Sequence, residues 1–84
     1  MTAAESLKDN NGNPESLANA IRAACGASKI RAFGHCVDVA YAEERMGNTE
    51  NAQAFATIRD WMAAHDWNGA DKAGFVSPIH AKTL

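Results

Sequence analysis

The 84-residue chain predicts a small all-α protein, a helical bundle with three principal helices. Three observations predict it. Apolar residues recur at i, i+3, i+4 and i+7 in successive stretches, the spacing of one helix face. Alanine, the strongest helix former, is used heavily. The stretches are parted by short Gly- and Asn-containing turns, and neither of the two prolines interrupts one.

Thr2-Ala3-Ala4-Glu5 has capping-box spacing and predicts a short helix over 3–8. The polar run Asp9-Asn10-Asn11-Gly12-Asn13 ends it in a loop. Asn13-Pro14 is the clearest start signal, a cap followed by a proline at a first helical position. It opens a helix over 14–25 whose stripe is Leu17, Ala20, Ile21 and Ala24, with Gly26 closing it. Ser28 caps a third helix over 28–46, with a main stripe of Ile30, Phe33, Val37, Ala40 and Tyr41. Ala32, Cys36 and Val39 widen its apolar surface, so this helix is expected to be central and touched from two sides. Gly34 inside it is expected to mark a close approach.

Met46-Gly47-Asn48-Thr49 reads as the turn of a helical hairpin, with Gly47 ending one helix and Thr49 capping the next. The fourth helix, over 49–67, presents Ala54, Phe55, Ile58, Trp61, Met62 and His65. Folding the hairpin about Asn48 pairs Tyr41 with Phe55, Val37 with Ile58, Phe33 with Met62 and Ile30 with His65. Residues 68–84 read as an irregular tail: Asn68-Gly69 stops the helix and Pro78 disfavours another. Phe75, Val76 and Ile79 in that tail are expected to pack back on the bundle.

The chain is one domain by length. Its net charge is −2, with the acids concentrated in residues 43–66. That balance argues against a nucleic-acid footprint. No apolar run approaches the ~18 residues of a membrane span, and the first residues lack a signal-peptide pattern. A cytoplasmic location, with Cys25 and Cys36 as free thiols, is the expectation. Helical rise puts those two cysteines ~12 Å apart along the axis, too far for a bridge.

Chemistry is sparse. His35-Cys36 are helix neighbours pointing about 100° apart, which is no nucleophile–base pair. There is no Cys-x-x-Cys, no His-x-x-x-His and no calcium loop, so neither a metal nor a cofactor is expected, nor a catalytic residue. What remains is a protein–protein interaction protein: a subunit, adaptor or small inhibitor docking on a larger protein or complex. Small helical inhibitors carried by phages and mobile elements have this size and charge. Its contacts are expected at Glu43, Glu44, Glu50, Asp60, Trp61 and Trp67, acids with two aromatic anchors. The alternative is a helix-turn-helix-like DNA-binding protein using Lys29, Arg31 and His35 at the start of the third helix. Arg22 and His35 both fall where that pattern wants apolar or small residues. A homodimer is a further expectation, its seam on Ala32, Cys36 and Val39.

Overall fold

Each helix begins where a side chain or a turn can serve its first amides, and ends where a residue turns left-handed. The computed structural model describes residues 2–69, with four helices in the order α1 (Ala3–Asp9), α2 (Glu15–Ala24), α3 (Lys29–Arg45) and α4 (Thr49–Ala64). The capping box of α1 is formed: Thr2 Oγ1 accepts from the Glu5 amide at 3.2 Å, and Glu5 Oε1 accepts from the Thr2 amide at 3.3 Å. For α2 the start signal is shifted by one residue: Pro14 stands at the cap rather than inside the helix, and the Asn13 side-chain oxygen Oδ1 accepts from the Glu15 amide at 3.0 Å. Ser28 Oγ accepts from the Arg31 amide at 3.2 Å and caps α3. At α4 the expected cap is corrected. Thr49 is already helical, Asn48 stands at the cap, and its side chain instead donates to Glu43 Oε2 at 2.6 Å across the hairpin turn.

The C-termini share one device. The amide of the second residue past each helix cap returns to a carbonyl five residues earlier: Gly12 to Leu7, Ala27 to Arg22, Asn48 to Glu43 and Trp67 to Met62, each at 2.9 Å. This closure needs a left-handed residue between, supplied by Asn11, Gly26, Gly47 and Asp66 with φ of 56, 70, 81 and 64°. The fourth helix therefore stops at Ala64, not at 67. Its closing turn swings Trp67 back over Met62, and both are buried. The tail expected over 68–84 lies outside the described residues beyond Gly69.

α4 is the hub. It lies along α3 and also meets α1 and α2, while α3 meets α2 and α4. The centre is thus the fourth helix, although α3 is touched from two sides as expected. Ala32, Cys36 and Ala40 are the buried positions of α3, one every fourth residue. Ala32 and Cys36 share a core cluster with Ala18, Ile58, Met62 and Trp67. Small side chains on α3 bring the helix axes close, and the long side chains of Ile58 and Met62 fill the space between.

The face of α3 that packs is therefore turned by about one residue step from the expected stripe. Tyr41 is 62% exposed and Ile30 37% exposed, so neither anchors the seam. The ring of Phe55 meets His35 edge-on at 6.4 Å rather than Tyr41, and His65 stacks on Trp61 at 4.0 Å rather than meeting Ile30. The expected self-association seam is corrected for the same reason: Ala32 and Cys36 are fully buried in the chain's own core. Gly34 is not a close-approach glycine, since a Cβ there would meet nothing within 4 Å.

Two stability outcomes follow from this packing. Ile58→Ala removes a fully buried side chain and is expected to destabilise by about 2–4 kcal/mol, whereas Tyr41→Ala should stay within about 0.5 kcal/mol; urea denaturation of both variants measures the contrast. Gly34→Ala should stabilise by about 0.5–1 kcal/mol, because it gains helix propensity in open space. Gly47→Ala should destabilise by about 1 kcal/mol by straining the left-handed turn. Opposite shifts of the denaturation midpoint are the expected reading.

Candidate functional site

The ends of the α3–α4 hairpin differ in chemistry. At the turn, α3 ends in Glu43-Glu44-Arg45 and α4 starts at Thr49-Glu50. Glu44 and Glu50 are exposed, and Glu43 is tied to Asn48. Sequence reasoning missed the two apolar side chains beside them. Tyr41 and Met46 are 62 and 65% exposed. The Tyr41 ring is held in place by Arg45, whose Nη1 donates to the Tyr41 hydroxyl at 3.0 Å and whose guanidinium lies 5.6 Å from the ring centroid. Helical spacing puts Tyr41, Glu44 and Arg45 on one face. The last turns of α3 and its cap residue thus expose a phenol and a thioether near carboxylates.

The other expected contact residues are not at this tip. Asp60 lies three turns further along α4, in an exposed ion pair with Arg59 at 3.1 Å. Trp61 is half-buried, and Trp67, at 5% exposure, is a core residue and offers no free face. The anchor expected at Trp67 is corrected here: the left-handed turn at Asp66 folds its ring inward. Trp61 meets Trp67 edge-on at 5.3 Å and stacks on His65, whose Nδ1 pairs with the Trp61 carbonyl at 2.8 Å.

The three residues considered for DNA contact are also divided. Lys29 Nζ lies 5.8 Å from the Trp67 ring centroid, Arg31 is exposed, and His35 sits edge-on to Phe55. Arg22 is now explained. Its Nε donates to the Ala27 carbonyl at 3.0 Å and its guanidinium lies 5.9 Å from the Trp67 ring centroid, so it ties the α2–α3 turn to the end of α4. No sequence signal links residues so far apart in the chain.

His35 and Cys36 do not form a pair: the imidazole is exposed and the thiol is in the core. Burial, chiefly, with the Cys25 thiol adding and Arg59 opposing, pushes the Cys36 thiol up to about 11. It carries no thiolate at neutral pH. Both cysteines are free. The Glu5 carboxyl is held below its ordinary value by the hydroxyl and amide of Thr2. Among the described residues no group of three or more His, Cys, Asp or Glu side chains could hold a metal ion, and no helix is long and apolar enough to cross a membrane.

Cys36 makes a measurable prediction. The folded thiol keeps its proton to higher pH than an unfolded one near 9.0. Its contribution to stability is complete below about pH 9 and falls as pH rises towards 11, by at most about 1.4 kcal/mol per pH unit. Relative to Cys36→Ala, the native chain should lose stability over that window. At pH 8, iodoacetamide should label Cys25 alone until the chain is unfolded, as read by intact mass. No protein-family model, curated protein or solved structure matches this chain.

Proposed function

We propose that this chain is a protein–protein interaction module, a subunit, adaptor or small inhibitor, that docks on a larger protein through the α3–α4 turn. The observation that carries this reading is the pair of exposed side chains Tyr41 and Met46 on that turn, beside Glu44 and Glu50. Tyrosine is a frequent anchor of interfaces because it brings large area with few rotatable bonds. Methionine adapts to an irregular partner surface. Arg45 pre-orders the Tyr41 ring, which lowers the entropy lost on binding. The carboxylates around the pair favour a partner patch that is apolar at its centre and basic at its rim.

The DNA-binding reading is less well supported. Lys29 lies 5.8 Å from the Trp67 ring centroid and, two residues from Arg31 on the helix, does not share its face. Asp38, seven residues on and so on the same face as Arg31, is exposed and would oppose a phosphate backbone.

Capture from an extract of the native cells tests the proposal, with wild-type chain and a Tyr41→Ser/Met46→Ser variant run side by side. A protein retained by wild type and reduced at least about tenfold by the variant is the expected result. Glu44→Lys/Glu50→Lys should weaken the same capture and reduce its salt dependence; Glu43 is left intact because it fastens the turn. Equal capture by all three folded chains, checked by circular dichroism, would remove the turn from the interface.

A further inference from the structure

Two cations from different helices each lie within 6 Å of the centre of one buried indole, at the opposite end of α3 from the docking turn. The Arg22 guanidinium and the Lys29 ammonium lie 5.9 and 5.8 Å from the Trp67 ring centroid. That ring is a fixed floor: it is 5% exposed, meets Trp61 edge-on, and its amide is bonded to Met62. Both cations line an open depression of about 330 Å³ together with Ala27, Ser28, Ile30 and Asp66. Among the described residues Arg22 uses its Nε on the Ala27 carbonyl, which sets the plane of the guanidinium and leaves both Nη groups for another partner. Ser28 Oγ accepts from the Arg31 amide, so its hydroxyl proton is available as well. Among the described residues neither cation has a carboxylate within ion-pairing distance; the ion pair present is Arg59–Asp60, elsewhere on the surface.

Two like charges lining one depression, with the single carboxylate Asp66 beside them among the described lining residues, leave a net positive charge that an anion neutralises. A planar guanidinium fork beside a point-charge ammonium and a hydroxyl matches a tetrahedral oxyanion of high charge better than a singly charged carboxylate. We infer that this depression is a binding site for a small phosphate-bearing anion, held between Arg22 and Lys29 with Ser28 as a third donor. Asp66 is the acid of the lining, and it sets the affinity below what the two cations alone would give. The site is independent of the docking turn, and either can be lost without the other.

The test is titration of the full chain with inorganic pyrophosphate at low ionic strength, matched with sodium chloride, followed by tryptophan fluorescence and calorimetry. Saturable binding is expected. Lys29→Gln should weaken it at least about fivefold, and Arg22→Gln likewise. Asp66→Asn keeps a residue suited to the left-handed turn and should tighten it a few-fold. Arg59→Gln, which makes the same charge change as Lys29→Gln at a distant place, should leave it unchanged. No saturable response up to roughly 10 mM would overturn the site. So would equal weakening by Lys29→Gln and Arg59→Gln, which would mark a general charge effect. A short DNA duplex gives the other arm: binding of the duplex with no response to pyrophosphate would overturn the small-anion site and assign the cations to a polynucleotide.

Discussion

The close contact of α3 with α4 is the constraint on which the rest of the fold depends. It is made by small side chains, Ala32, Cys36 and Ala40, facing the long side chains Ile58 and Met62. Because α3 contributes little volume, α4 must supply it, and α4 becomes the helix that all the others meet. Ala18 of α2 enters the same cluster, and Trp67 closes its end. The large residues of α3 that are not needed inside, Tyr41 above all, are displaced outward to the turn. The surface chemistry of the hairpin is thus a consequence of how its core is filled.

The ends of the helices other than α4 were legible in the residues to within a residue, and the packing face of α3 was not. Thr2-Glu5, Asn13-Pro14, Ser28 and Gly47 are local signals, read out by backbone hydrogen bonds within a few residues. Asp66 was missed because aspartate adopts the left-handed conformation far less often than glycine, and the ring of Trp67 was misplaced with it. The stripe on α3 was misassigned because the helix is apolar on more than one side. Periodicity then offers two faces, and the heavier side chains draw the choice. Which face packs is settled by volume on the partner helix, a term that no single-helix pattern contains. Of the site residues, Glu44 and Glu50 were legible as charge. The meeting of Arg22, Lys29 and Trp67 depends on tertiary folding and has no local trace.

The central seam also explains a charge arrangement that works against the helix carrying it. Lys29 and Arg31 stand in the first turn of α3, at the positive end of its dipole, and Glu43 and Glu44 near the negative end. Each misplaced charge costs about 0.3–1 kcal/mol at an exposed site. Tertiary packing, which dominates helix stability in proteins, offsets that cost. Breaks of a local rule of this kind concentrate where a protein works. Here they mark both ends of one helix, the acidic turn and the cationic corner.

The hub position of α4 has a consequence for the order of events in folding. It is the last of the four helices in the described residues, yet α1, α2 and α3 each meet it. Until it is made, α1 lacks a partner and α2 and α3 have only each other, and helices of such lengths are marginal alone in water. Most of the burial in residues 2–69 is therefore expected to form only once α4 and the ring of Trp67 are present.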